Sequence, residues 1–327
     1  TKWFEPADTD QYHFSTLLHQ VLAVSAQWGG VRADQLFTLL CKKGPFQNVT
    51  TEQFISLLKH MGDTALITQL GSGELVLGIE GEKIVNHYTF YAVFQTPEEY
   101  RVVVGSKTLG TLPVNSLVLP NQHIVFAGRR WKVLDVDPDK KVIRVEATKG
   151  GKPPKFGGSG MFTHGKIRQE MYKMYSQGDY RIDMRGHKVD FADSTARDLF
   201  HEGAKYFKEE NLVEESMIQT GKSVCIFTWC GDRVVNTLVA LLLSQGMQAG
   251  GYAGVIEVED TTVSDVKRVL DNLIKKGFPT ETELAEITPE KNIEKFDDLV
   301  SPELLSVGFG ARVFDFPTLV DCFLSKI

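Results

Sequence analysis

Residues 65–79 read Ala-Leu-Ile-Thr-Gln-Leu-Gly-Ser-Gly-Glu-Leu-Val-Leu-Gly-Ile, two apolar runs hinged on Gly71-Ser72-Gly73. Glycine takes positive φ without steric cost, so the stretch predicts a β-hairpin. What precedes it decides the kind of hairpin. Leu17, Leu18, Val21 and Leu22 recur at helical spacing and stop at Gly29-Gly30. A second helical pattern runs from Asp34 to Leu40 and breaks at Gly44-Pro45. A third opens at Thr50-Thr51-Glu52-Gln53, carries Phe54, Ile55, Leu57 and Leu58, and ends at Gly62. Three helices followed by a two-stranded wing predict a winged-helix domain over residues 1–87.

Beyond residue 87 the period changes from 3.6 to 2. Thr89 to Phe94, Tyr100 to Val104, His123 to Phe126, Trp131 to Val136 and Val142 to Val145 are rich in β-branched and aromatic residues. Turn chemistry separates them at Gly105-Ser106, Ala127-Gly128 and Asp137-Pro138-Asp139. Residues 88–150 are therefore expected to form a small β-barrel or curled sheet. Residues 149–160, Lys-Gly-Gly-Lys-Pro-Pro-Lys-Phe-Gly-Gly-Ser-Gly, form a basic loop that cannot hold regular structure. Helical patterns follow at Gly165 to Tyr175 and Asp193 to Lys208. Strand, helix, strand and helix patterns then alternate over Val224–Thr228, Arg233–Leu243, Gly254–Val258 and Val263–Lys276, in the order of a βαβ unit. A further helical region starts at Ile293. The fold class is α+β, with residues 151–327 packing with the barrel as one C-terminal domain.

Composition places the chain among globular proteins, with 42% hydrophobic and 24% charged residues. The run around Leu238 to Leu243 falls well short of the roughly 20 apolar residues a bilayer span needs, so no membrane partner is expected. No basic segment precedes an apolar one at the N-terminus, as a secretory signal would require. The chain does not begin with Met, which fits a piece of a longer or processed protein. Cys41, Cys225, Cys230 and Cys322 show no Cys-x-x-Cys spacing and read as free thiols of a reducing, cytoplasmic compartment.

The net charge of −6 hides polarity along the chain. Arg129 to Lys173 contains 12 basic against 5 acidic residues, whereas Glu209 to Asp298 contains 8 against 17. One polyanion-facing surface is the simplest reading. Arg129, Arg130, Lys149, Lys152, Lys155, Lys166 and Arg168 supply the charge, with Arg233 a further candidate. Trp131 and Phe156 interleave with them, as rings do in single-strand binders that stack bases. Trp131 alternates with Val133 on one strand face, however, and a core position is the competing reading. The winged-helix stretch is poorly charged for DNA: from Asp8 to His87 it holds 5 basic and 8 acidic residues, with Lys59 and His60 its candidate contacts.

Catalytic motifs are missing. Gln219-Thr-Gly-Lys-Ser223 resembles the end of a phosphate-binding loop, but Ser216 stands where the first glycine belongs and a strand pattern follows instead of a helix. His201-Glu202 lacks the second histidine of a zincin helix, for Lys205 occupies that position. No metal ligand set, catalytic residue or resident cofactor is expected.

Tyr12-His-Phe, Leu18-His-Gln-Val-Leu-Ala-Val, Thr96-Pro-Glu-Glu-Tyr-Arg-Val, Leu109-Gly-Thr-Leu-Pro and Phe126-Ala-Gly-Arg-Arg-Trp-Lys-Val-Leu-Asp-Val-Asp resemble the region after the two RecA-like motor domains of Lhr (large helicase-related) helicases. Pro153-Pro154, Gly157-Gly158 and Gly231-Asp-Arg-Val-Val-Asn236 are similar too. The resemblance spans nearly the whole chain, and the Ala-Gly-Arg-Arg-Trp hairpin is its most specific piece. It implies a superfamily 2 helicase that moves 3′ to 5′ on single-stranded DNA and unwinds duplexes or hybrids. In that family a winged helix and a barrel-containing domain complete the channel around the tracking strand, with one aromatic ring stacked on a base. Trp131 or Phe156 would be that ring. The motor is not in this chain, so ATP and Mg belong to the motor domains, which would be its protein partners. Single-stranded DNA or a DNA/RNA hybrid would be its nucleic-acid partner. Two alternatives stay open: a winged-helix DNA-binding or interaction module, and a glycosylase-like enzyme acting on a base, for which Asp135 is a candidate carboxylate.

Overall fold

The computed structural model describes residues 3–7, 11–94, 99–113, 123–126, 129–137, 140–148, 162–288 and 291–326. They divide into two units, one made of residues 1–93 with 162–327 and the other of 94–161. The fold is mixed α+β with several small sheets.

In the first unit, α1 (Phe14–Trp28) buries Leu17, Leu18, Val21 and Leu22 completely. It stops at Gly29, whose φ of 74° is a left-handed conformation that glycine adopts cheaply. A short strand β1 (Val31–Arg32) leads into α2 (Ala33–Phe37), which continues as a π-helical turn over Thr38–Lys42. Cys41 lies buried on that turn, and burial pushes its thiol up to about 11. Helix α3 (Thr51–Asp63) starts with a capping box in which Gln53 N–H donates to Thr50 Oγ1 (3.2 Å) and Thr50 N–H to Gln53 Oε1 (2.9 Å). The expected hairpin is β2 (Ile67–Gln69) and β3 (Glu74–Leu77), and β1 pairs with the outer side of β3.

Two expectations fail just after the hairpin. The second strand ends at Leu77, and Ile79 opens a helix, α4 (Ile79–Val85). A Cβ at Gly78 would lie 2.2 Å from the Ala65 carbonyl oxygen, and one at Gly81 2.0 Å from that of Leu66. These two glycines let α4 press onto backbone, a contact that alternation of apolar residues does not encode. The strand expected from Thr89 to Phe94 is instead a 3₁₀ turn at Tyr88–Tyr91. Its Phe90 is buried against His19 and Phe296. Lys295 Nζ donates to the Thr89 and Ala92 carbonyls and so occupies acceptors that a strand would have given to a neighbour.

The second unit is a five-stranded sheet of β4 (Glu99–Val104), β5 (Lys107–Pro113), β6 (His123–Phe126), β7 (Arg129–Asp137) and β8 (Val142–Ala147). Its order is β5-β4-β8-β7-β6, with β4 and β8 parallel and the other pairs antiparallel. Register shifts at Val102/Val103 and Val133/Asp135 mark irregularities that bend the strands. Tyr100, Val102, Trp131, Val133, Ile143 and Val145 form its core. Among the described strands the sheet is not a barrel: β5 and β6 are its edges and do not pair. Alternating residues reported the buried face correctly, but alternation carries no information on closure.

In the remainder of the first unit, α5 (Gly165–Gln177) leads to a hairpin of β9 (Ile182–Met184) and β10 (His187–Val189) and then to α6 (Ser194–Glu209). A second sheet comprises β11 (Met217–Thr220), β12 (Ser223–Phe227), β13 (Ala249–Tyr252) and β14 (Val255–Val258), with α7 (Asp232–Ser244) between β12 and β13. The βαβ unit expected over these residues does not form. Strand order is β11-β12-β14-β13, and every pair is antiparallel. The tight β13–β14 turn, with Ala253 at φ 52° and Gly254 at φ 87°, inserts β14 between the two strands that α7 connects. Gln219 to Ser223 forms the β11–β12 hairpin, with Gly221 at φ 62°.

Helices α8 (Val263–Lys276), α9 (Glu281–Glu286), α10 (Pro302–Val313) and α11 (Phe316–Cys322) complete the unit. Phe296, Val300 and Leu304 join the core built on α1, and Phe296 N–H donates to Ser15 Oγ at 2.9 Å. Glu294 is shared by His13 Nδ1 (2.8 Å) and Arg312 Nη1 (2.9 Å). These contacts tie the two ends of the chain into one body. No helix among the described residues is long and apolar enough to cross a membrane.

Candidate nucleic-acid interface

The residues expected to face nucleic acid divide three ways. Arg129 opens β7 and is exposed. Arg130 follows it in the same strand and pairs by backbone with Val125. Trp131 is 7% exposed and belongs to the sheet core with Val133. A ring enclosed in that way cannot stack on a base without leaving the core, which leaves Phe156 as the other expected ring. Lys149, Lys152, Lys155 and Phe156 lie outside the described residues, as does the side chain of Arg130.

Lys166 sits in the first turn of α5 and pairs with Glu170 at 2.7 Å, one turn along the same helix. Glu170 also takes Lys173 at 2.9 Å, and the hydrogen bonds from both lysines hold its carboxyl below the usual range. Both lysines remain partly exposed and can exchange this surface pair for a phosphate at small cost.

Arg168 and Arg233 have framework roles. Arg168, its side chain 12% exposed, places Nη2 3.3 Å from Asp232 Oδ1. It also packs on Gly254, where a Cβ would meet its Nε at 2.8 Å. Asp232 Oδ2 accepts the Thr163 N–H at 2.8 Å. Arg233 Nη2 donates to the Ala311 and Phe314 carbonyls, each at 2.7 Å, and so closes the C-terminal end of α10. Asp135 lies on the exposed face of β7, with Arg144 Nη1 donating to its carboxylate. It is not the buried carboxylate that base chemistry would need.

The sequence reading missed an aromatic cluster. Tyr172 and Tyr175, three residues apart on α5, meet Phe200 and Phe207 of α6 and Trp229 of the turn between β12 and α7. Trp229 is 5.5 Å from Tyr172, 5.6 Å from Phe207 and 6.2 Å from Phe227, centroid to centroid. Its φ of 53° is in the left-handed region, unusual for a bulky residue. Two hollows share Leu212, Phe227 and Trp229 in their walls. One of about 650 Å³, mouth included, is lined by Arg168, Tyr175, Tyr206 and Phe207 among others. The other, of about 1040 Å³, carries Lys173, Glu214 and Glu215. The i, i+3 tyrosines were a visible signal, but their partners on α6 and at Trp229 come from elements far apart in sequence.

Among the described residues no group of three or more His, Cys, Asp or Glu side chains could hold a metal ion. No family model, curated protein or solved structure matches the chain.

Proposed function

We propose that this chain is the strand-guiding, non-motor portion of an ATP-dependent helicase of the Lhr type. It would hold single-stranded DNA, or one strand of a DNA/RNA hybrid, while RecA-like motor domains hydrolyse ATP with Mg. The observation that carries the reading is the connectivity of residues 14–77. Helix α1, strand β1, α2, α3 and the β2–β3 hairpin, with β1 added to β3, follow the order of a winged helix. A five-stranded sheet over residues 99–147 follows in the place where the resemblance to Lhr helicases puts a barrel, open among the described strands, and Arg129 stands exposed on it. Arg129, Lys132, Lys149, Lys152, Lys155 and Lys166 would supply phosphate contacts, and Phe156 a stacking ring.

The winged helix itself suits a protein partner better than a DNA groove. Helix α3 exposes Ile55 (45%) beside Glu52, and the hairpin tip exposes Leu70 (44%) beside Glu74. This favours, as a second reading, an interaction module in which the N-terminal domain braces the motor. Fluorescence anisotropy of the chain on single-stranded, duplex and hybrid oligonucleotides across a salt series tests both. Salt-sensitive single-strand binding is expected under the first reading. Absence of binding to all three strands would leave the interaction module.

A further inference from the structure

We propose that the smaller aromatic hollow, between α5, α6 and the turn at Trp229, is a pocket for one unstacked nucleobase of a bound single strand. The inference rests on the single-strand reading above and deepens it by naming where a base is held. The hollow, about 650 Å³ with its mouth included, opens to solvent and is walled by Tyr175, Tyr206, Phe207, Phe227 and Trp229, a density of rings that a surface depression seldom has. Rings on several sides offer faces and edges to a planar heterocycle, whichever base it carries.

Charge separates this hollow from its neighbour. Among the residues lining it, Arg168 is the only charged side chain and none is acidic, whereas Glu214 and Glu215 line the larger one. Arg168 is paired with Asp232, so the first hollow presents little net charge, whereas the second sets Glu214 and Glu215 against Lys173 alone and repels an anionic strand more. The hydrogen-bonding inventory points the same way. Arg168 Nε and Trp229 Nε1 are buried N–H donors without an acceptor. Such donors are rare because burying them unpaired is costly. A base brings carbonyl and ring-nitrogen acceptors that can meet them. Both nitrogens are buried, so a base would have to displace part of the hollow's wall to reach them. The left-handed backbone at Trp229 is the kind of local strain that clusters at ligand clamps.

The test uses the full chain and three probes: a short oligothymidylate, an abasic strand of the same length, and thymidine 5′-monophosphate. Anisotropy reads affinity, and tryptophan emission, compared with Trp229→Phe, reads the pocket. The oligothymidylate should quench Trp229 and bind about tenfold more tightly than the abasic strand. Val255→Phe fills the hollow, and Tyr206→Ala removes a wall residue that is 43% exposed and so not needed for folding. Each should weaken oligothymidylate binding about tenfold and leave abasic-strand binding unchanged, with thermal melts confirming the fold. Oligothymidylate binding unaffected by both variants would overturn the pocket and keep the single-strand reading. Failure of both strands to bind, with Trp229 still quenched by the mononucleotide, would overturn the single-strand reading and assign the same chemistry to a free nucleotide. No response to any probe would overturn both.

Discussion

Arg168 and Asp232 tie α5 to α7: Nη2 of the first lies 3.3 Å from Oδ1 of the second, and the other carboxylate oxygen accepts the Thr163 N–H at 2.8 Å. Asp232 opens α7, so its charge also faces the positive end of that helix. Both side chains are mostly shielded from solvent, 12% and 25% exposed. Removing one partner leaves the other buried without its match. Asp232→Ala is expected to cost about 1–3 kcal/mol of stability, read from urea melts, and to leave single-strand affinity within about twofold. A clear gain of affinity with unchanged stability would instead make the released Arg168 a phosphate contact.

Trp131 distinguishes core from contact in the other unit. Its ring packs with Val133, Ile143 and Val145 at 7% exposure. Trp131→Ala should destabilise residues 94–161 by about 3–5 kcal/mol through the cavity it opens. Trp131→Phe keeps most of the volume and should preserve both the fold and strand affinity. Calorimetry with anisotropy on both variants checks this. Trp131→Ala that melts like wild type but loses strand binding would return Trp131 to the surface as a stacking ring.

Asp297 predicts a pH dependence. It is 7% exposed and accepts the Ile293 and Glu294 N–H groups at 2.7 Å each, yet burial outweighs those bonds and raises its pKa. A carboxyl with a raised folded pKa binds its proton more tightly in the native state. Its contribution is therefore most favourable at low pH and is lost as pH rises from the ordinary Asp value of about 4 through the raised one. Asp297→Asn keeps an oxygen for both N–H groups and removes the titration. The difference in stability between variant and wild type should grow in favour of Asn as pH rises from about 4 to 7. A difference that is flat over this range would contradict the raised pKa.

Local signals were legible in the sequence where one element answers to its own residues. Gly29 ending α1, the Thr50–Gln53 box opening α3 and Gly71-Ser72-Gly73 in the hairpin all act within a few residues. The alternation of Trp131 and Val133 left core and contact open for Trp131, and the packing of Tyr100, Ile143 and Val145 around it makes that face of β7 the inner one. What escaped depended on distant partners. Gly78 and Gly81 matter because the backbone of Ala65 and Leu66 passes beneath them. Strand β13, Gly-rich and mostly exposed, lacks the apolar alternation that marks a strand, so the antiparallel insertion of β14 was hidden. For the site, the sequence carried the charge cluster but not its use. Arg168 and Arg233 look like neighbours of a basic surface until Asp232, Ala311 and Phe314 arrive from elsewhere to occupy them.

The most direct test of the central claim is the salt dependence of single-strand affinity for the chain and for its Lys152→Glu/Lys155→Glu variant. If these lysines contact phosphate in a strand-guiding channel, log affinity should fall linearly with log salt for the unmodified chain, and the variant should bind more weakly with a slope smaller by about 0.7 for each lost contact. Identical affinity and slope for the two proteins, or salt-independent binding by the unmodified chain, would contradict the account.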